Sequence, residues 1–62
     1  MSDAKLTDIA AELRHETPRA YLIFDGDQQV WLPKSQTEAF HQRDKTWTFT
    51  LPEWLAKEKG LI

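Results

Sequence analysis

Residues 19–33 read Arg-Ala-Tyr-Leu-Ile-Phe-Asp-Gly-Asp-Gln-Gln-Val-Trp-Leu-Pro, and this stretch decides the expected fold. Two mainly apolar runs, 19–25 and 28–33, flank Asp25-Gly26, a dipeptide that tolerates the positive φ of a tight turn. Pro33 has no N–H group and is expected where the second run ends. The stretch therefore predicts an antiparallel β-hairpin.

Two further segments extend the sheet. Residues 46–50 alternate strictly between threonine and aromatic side chains, which predicts a strand with one buried face. Residues 34–45 leave two alternatives, because Ser35 and Glu38 match a helix capping box while a third strand at 36–41 is also possible. Only Ala39 and Phe40 are apolar there, too few for a helical stripe, which favours the strand.

The first residues predict a helix over 3–16. Apolar side chains recur at the i, i+3, i+4 and i+7 positions of an amphipathic helix, namely Leu6, Ile9, Ala10 and Leu13. Ser2 or Asp3 would cap the start of this helix, and Thr17-Pro18 would end it.

A second, short helix is predicted over 51–59. Thr50 and Glu53 match a capping box, and Phe49 with Trp54 occupy the positions of a hydrophobic staple, which predicts a buried Trp54. Gly60 is placed to end the helix. The expected fold class is therefore α+β: a three- or four-stranded antiparallel sheet with an N-terminal helix and a short C-terminal helix.

Composition limits the range of functions. The chain has 62 residues, a net charge of −2 and no cysteine, which predicts a single small domain, residues 1–62, without disulfides or thiolate metal sites. No apolar stretch is long enough for a membrane span and no signal peptide is recognisable, so a cytoplasmic location is expected. The acidic excess lies in the first half of the chain. The sequence has no basic stripe of the kind that is typical of duplex-DNA-binding proteins.

Catalytic and metal motifs are missing from the sequence. His15 and His41 are far apart and have no nucleophile or metal spacing around them. Asp25-Gly26-Asp27 resembles the start of a calcium loop but lacks the later oxygen ligands of such a loop. The sequence therefore predicts a non-enzymatic protein with no cofactor and no metal.

Two segments carry a resemblance: Val30-Trp31-Leu32-Pro33-Lys34-Ser35-Gln36, and residues 52–61, Pro-Glu-Trp-Leu-Ala-Lys-Glu-Lys-Gly-Leu. This pattern resembles small phage and prophage proteins of unassigned function, over about residues 20–62. The resemblance implies a strand after Ser35-Gln36 and a phage or mobile-element origin, which would place the protein in the host cytoplasm. Anti-CRISPR proteins are phage-encoded proteins of similar size, and they inhibit host defence complexes by binding to them.

The leading hypothesis is an anti-CRISPR-like inhibitor that occupies a basic nucleic-acid-binding surface on a host defence or nuclease complex. Its partner-binding residues would be the acidic Asp8, Glu12, Asp25 and Asp27 and the aromatic Tyr21 and Trp31. Both faces of the hairpin are apolar, so either both are covered or the face assigned to Tyr21, Ile23 and Trp31 stays partly open. We expect a host protein as partner, no membrane, and a monomer or weak homodimer.

The alternative function is a small accessory protein that binds single-stranded nucleic acid. Tyr21 and Trp31 would stack on bases, and three cations, Lys34, Arg43 and Lys45, would neutralise phosphates. The acidic net charge favours the inhibitor over this alternative.

Overall fold

A computed structural model describes residues 5–62 and shows a mostly-β protein. A five-stranded antiparallel sheet with the strand order β3-β2-β1-β5-β4 is followed by a short C-terminal helix. The elements are β1 (Leu6–Glu16), β2 (Ala20–Phe24), β3 (Gln29–Pro33), a 3₁₀ turn (Lys34–Gln36), β4 (Glu38–Arg43), β5 (Thr46–Pro52) and α1 (Glu53–Glu58).

The predicted N-terminal helix is wrong, and with it the α+β fold class. Leu6–Glu16 is an 11-residue strand at the centre of the sheet. Its first half pairs with β5, from Leu6 opposite Pro52 to Glu12 opposite Thr46, and its second half pairs with β2. A helix here would leave edges of β2 and β5 without backbone partners, so pairing overrides the helix propensity of the segment. The predicted start at residue 3, with Ser2 and Asp3, lies outside the described residues.

The remaining strands follow the predicted segments with shifted ends. β2 and β3 fall within 19–25 and 28–33, and they are joined by the turn at Gly26, whose φ is 101°. The ambiguous segment divides into the 3₁₀ turn and then β4, so the capping-box pattern at Ser35 begins no α-helix. β5 continues past residue 50 to Pro52.

The sheet is curled, because its two edge strands are joined directly. β3 ends at Pro33 and β4 begins at Glu38, so four residues connect opposite edges of a five-stranded sheet. The five Cα–Cα steps from Pro33 to Glu38 reach about 17 Å when fully extended, and less here because Lys34–Gln36 is a 3₁₀ turn. A flat sheet of five strands is about 19 Å wide. Curling creates an inner face, which together with α1 holds the buried core: Ala11, Ile23, Leu32, Phe49, Leu51, Leu55 and Ala56.

The start of α1 differs from the prediction. Pro52 is the N-cap residue and no side chain caps the helix, since Thr50 lies within β5. Trp54 is 53% exposed, so the prediction of a buried Trp54 in a staple is wrong. The helix instead buries Leu55 and Ala56 against the inner face.

The end of α1 confirms the predicted glycine cap. Gly60 has a φ of 78°, its N–H donates to the Lys57 carbonyl, and the Leu61 N–H donates to the Ala56 carbonyl, which together form a Schellman motif. The Gln28 side chain donates from Nε2 to the carbonyls of Lys59 and Gly60, at 3.3 and 2.9 Å. The β2–β3 turn is thus tied to the end of the helix.

Candidate functional site

Three carboxylates lie together on the outer face of the sheet, which α1 leaves uncovered. Asp8 is opposite Thr50, and Thr50 is opposite Glu38, so these three side chains form one row across β1, β5 and β4. Glu12 is four residues beyond Asp8 on β1 and therefore projects from the same face. We call Asp8, Glu12 and Glu38 the acidic face.

Strand spacing fixes the dimensions of the acidic face. Asp8 and Glu12 are about 13 Å apart along β1, and Asp8 and Glu38 are about 10 Å apart across two strand spacings. The Thr50 hydroxyl donates to Asp8 Oδ1 at 2.7 Å, while Glu12 forms an ion pair with Arg14. The pair with Arg14 reduces the net charge at the Glu12 end, so the negative potential is strongest around Asp8 and Glu38.

A second cluster lies on the outer face of β1, β2 and β3. Trp31 is 45% exposed and is opposite Leu22, which is itself opposite His15. The His15 ring meets Trp31 edge-on, with 6.2 Å between the ring centroids, and the Arg14 guanidinium lies 4.5 Å from the centre of the Phe24 ring. We call Arg14, His15, Leu22, Phe24 and Trp31 the Trp31 patch.

Tyr21 does not share a face with Trp31, so the predicted open face of the hairpin is assigned wrongly. Tyr21 is opposite Leu32 and points inward, where its ring packs 5.6 Å from that of Phe49. Ile23 is fully buried on the same inner face. Tyr21 is half-buried, and the Lys34 ammonium covers its ring at 5.0 Å. Of the two predicted aromatic contact residues, only Trp31 faces outward.

The two aspartates of the β2–β3 turn have different surroundings. Asp25 Oδ1 accepts the N–H groups of Gln28 and Asp27, each at 2.8 Å, and these hydrogen bonds hold the pKa of the Asp25 carboxyl below its ordinary value. Asp27 is exposed. Asp25 is therefore part of the turn's own structure, and the turn is tied to the end of α1 rather than joined to the acidic face.

The three predicted phosphate-neutralising cations are dispersed. Lys34 is paired with Glu16, whereas Arg43 and Lys45 are exposed at the β4–β5 turn, on the hairpin opposite to Trp31. A different cation lies closer to the Trp31 patch. Arg19 lines a cleft of about 440 Å³ with Pro18, Pro33, Lys34 and Ser35, directly beyond the end of β3.

The histidines carry no recognisable catalytic arrangement. His15 contacts Trp31, and the His41 ring lies 5.0 Å from Trp47 with its Nε2 2.8 Å from the Asp44 carbonyl oxygen. Both are on strands rather than on a helix or loop. Over residues 5–62, no group of three or more His, Asp or Glu side chains is arranged to hold a metal ion.

Sequence reasoning missed Glu38, Arg14 and Phe24 as surface-site residues. In β1, Asp8, Glu12 and Arg14 are separated by the inward-facing Ile9, Ala11 and Leu13, and this alternation was the available signal. Residues at i and i+4, such as Asp8 and Glu12, lie on one face both in a helix and in a strand. The prediction that they lie together is therefore unaffected by the wrong assignment of this segment as a helix.

Comparisons of the chain with protein-family models, with curated proteins and with solved structures give no match. The helical part of residues 5–62 is too short and too polar to cross a membrane.

Proposed function

We propose that this chain is a non-enzymatic phage or mobile-element protein that inhibits a host defence or nucleic-acid-handling complex, in the manner of anti-CRISPR proteins. It acts by occupying a basic nucleic-acid-binding surface of that complex. The acidic face is the main support for this proposal. Asp8, Glu12 and Glu38 project from the outer face of the sheet, whereas α1 packs against the inner face.

The spacing of the carboxylates supports a charge-based contact. A groove that binds duplex nucleic acid carries lysine and arginine side chains that meet phosphates, and each strand presents one phosphate per 3.4 Å or so of helix axis. Carboxylates about 10 and 13 Å apart on a rigid sheet would take the place of every third or fourth phosphate along that axis. This charge density is lower than that of nucleic acid, so charge would mainly speed association.

Apolar contact must then supply much of the affinity. A large side chain on the same outer face is available for it, because Trp31 is 45% exposed there. Buried aromatic anchors typically dominate the binding energy of protein interfaces, with charges at the rim. The proposed interface therefore has acidic rim contacts and an aromatic anchor.

Capture from a host lysate with charge-reversed variants tests this proposal. The variant Asp8→Lys/Glu12→Lys removes two carboxylates of the acidic face, and Glu53→Lys/Glu58→Lys makes the same net charge change on α1. We expect the parent and the helix variant to retain the same host complex and the acidic-face variant to lose it. Circular dichroism checks that all three chains are folded.

Displacement then tests inhibition directly. The parent should release fluorescent nucleic acid from the captured complex. Each bound copy of the parent should block one nucleic-acid-binding site. A captured complex that binds nucleic acid equally well with and without the parent would contradict the proposal. So would equal loss of capture in both charge-reversed variants, because net charge rather than the acidic face would then be responsible.

A second candidate function is favoured by the Trp31 patch: binding of single-stranded nucleic acid. Trp31 offers an exposed ring for base stacking, and Arg14 and His15 lie beside it. Pro33 follows Trp31 by two residues along β3, a distance of about 7 Å, and the cleft lined by Arg19 and Ser35 begins there. This distance is close to the spacing of successive nucleotides in an extended single strand. Here the phosphate contacts would be Arg19 and Arg14, which would exchange its ion pair with Glu12 for a phosphate, in place of the predicted Arg43 and Lys45.

Fluorescence anisotropy of a labelled oligothymidylate distinguishes this candidate from the inhibitor. If the patch binds nucleic acid, Arg14→Glu/Arg19→Glu should weaken binding about tenfold or more, and Arg43→Glu/Lys45→Glu should weaken it much less. Binding that is absent at low salt removes this candidate and leaves the inhibitor proposal untouched. Equal weakening by both pairs would show non-specific attraction to the cations.

A further inference from the structure

The outer edge of β4 is open in the described part of the chain. β4 is the last strand of the sheet and pairs with β5 along one edge only, so its other edge presents backbone N–H and C=O groups to solvent. The strand itself is largely exposed, and Phe40 at its middle is 51% exposed. Natural edge strands are usually protected against pairing by proline, lysine or an inward-facing charge.

β4 lacks these protective residues between Glu38 and His41. Its sequence there is Glu-Ala-Phe-His, with the charge of Glu38 on the outer face. The irregularity in the β4–β5 register falls beyond His41, toward Arg43, so the first four residues form a regular strand. The other edge strand, β3, ends in Pro33, which cannot donate a ladder hydrogen bond. The open edge of β4 is thus the one suited to pairing.

We propose that β4 pairs antiparallel with β4 of a second copy, forming a two-fold symmetric dimer with a continuous ten-stranded sheet. Directly opposed residues of antiparallel strands project from the same face. The two-fold axis must therefore pass midway between the two copies of one residue, which are opposite each other. With the axis at Phe40, the two Phe40 rings lie opposite each other, and Ala39 lies opposite His41 of the second copy.

This register is self-complementary in chemistry. It covers an exposed phenylalanine with another phenylalanine, and cross-strand aromatic pairs are among the stabilising pairs in antiparallel sheets. It also keeps the two Glu38 side chains about 13 Å apart along the strand direction. A second copy therefore satisfies both the backbone and the side chains of this edge.

The dimer would enlarge the outer face without depending on the function proposed above. Because the two-fold axis is perpendicular to the sheet, both acidic faces would lie on the same side of the ten-stranded sheet. The expected state is a weak homodimer, since one short strand contributes the interface and small interfaces of this kind are usually transient.

A single cysteine tests the register, because the chain has none of its own. Residues directly opposite in an antiparallel pair have Cα atoms about 4.5 or 5.5 Å apart, within the range that a disulfide spans. Under mild oxidation, Phe40→Cys should form a covalent dimer rapidly. Trp31→Cys is the matched control, since Trp31 is similarly exposed on the outer face of the other edge strand, and this variant should remain mostly monomeric.

Sedimentation equilibrium of the parent gives an independent measurement, because Phe40→Cys also removes the phenylalanine contact. The parent mass should rise above the monomer value of 7.3 kDa with increasing concentration. Phe40→Glu, which places two carboxylates at the axis, should raise the dimer dissociation constant at least about tenfold. Its circular dichroism spectrum should match that of the parent, because Phe40 is half exposed.

Three results would overturn the β4 dimer. A parent whose mass stays at 7.3 kDa up to about 1 mM protein does not dimerise in this concentration range. A dimer whose dissociation constant is unchanged by Phe40→Glu, or a Trp31→Cys variant that cross-links as fast as Phe40→Cys, uses another surface. None of these results bears on binding of a host complex by the acidic face.

Discussion

The inner and outer faces of this sheet are built from the same strands but have different roles. Phe49, Ile23, Leu32 and Leu51 are fully buried on the inner side, whereas large side chains such as Trp31 stay exposed on the outer side. One six-residue helix can cover only one face of a five-stranded sheet. The comparison shows how a short chain can separate the residues that stabilise it from those available for contact.

Charge follows the same division. The acidic face and the Trp31 patch both lie on the outer side, and the side chains packed against the inner core are mainly apolar. Substitutions on the inner face should therefore act on the free energy of unfolding, and substitutions on the outer face should act on binding.

Phe49→Ala should have the largest effect on stability. Truncating a fully buried phenylalanine costs about 3–5 kcal/mol, and Phe49 also contacts the rings of Tyr21 and Trp47. Domains of this size have a total stability of about 3–5 kcal/mol, so the variant should be largely unfolded by circular dichroism at 25 °C. Phe40→Ala is the matched outer-face control and should cost less than about 1 kcal/mol. Equal losses in the two variants would contradict the division between faces.

Gln28→Ala should have an intermediate effect. The Gln28 amide is the side chain that ties the β2–β3 turn to the Lys59 and Gly60 carbonyls. Losing hydrogen bonds of this kind costs about 1 kcal/mol, measurable as a lower midpoint in urea denaturation. An unchanged midpoint would show that the end of α1 is held by its apolar contacts alone.

Acidification should weaken the β2–β3 turn by a smaller amount. The hydrogen bonds from the Gln28 and Asp27 N–H groups lower the pKa of Asp25 below 3.8. Because the folded pKa is below the unfolded one, this stabilisation is complete above about pH 5 and is lost as pH falls through the folded pKa. The midpoint difference between the parent and Asp25→Asn should therefore shrink between pH 5 and about pH 2. A constant difference over this range would contradict the assignment.

Trp54→Ala should have the smallest effect on stability. A staple residue buried against Phe49 would cost as much as Phe49 itself, but Trp54 is 53% exposed at the start of α1. We expect a loss of less than about 1 kcal/mol in urea denaturation followed by circular dichroism. A loss near 3 kcal/mol would place Trp54 in the core.

Local signals in the sequence account for the hairpin and for the end of the helix. Asp25-Gly26 between two apolar runs predicts a turn, and the structure has the β2–β3 turn there with Gly26 at a positive φ. Gly60 similarly marks the C-terminal cap. Both signals depend on backbone geometry within a few residues, which composition and spacing can show.

β1 could not be predicted in the same way, because its conformation depends on distant partners. Leu6–Glu16 is rich in alanine, glutamate and leucine and has a helical stripe, yet it pairs with residues more than 30 positions away. The same limit applies to the site. Asp8 and Glu12 could be grouped by spacing alone, but Glu38 joins them only through the pairing of β4 and β5.

The face division makes its sharpest claim about binding, and association kinetics test it. Surface plasmon resonance would compare the parent, Asp8→Lys/Glu12→Lys and Glu53→Lys/Glu58→Lys, each binding the captured host complex at low and at physiological salt. We expect the acidic-face variant to associate at least about tenfold more slowly than the helix variant, with a weaker dependence on salt. Equal association rates for the two variants, at both salt concentrations, would contradict it.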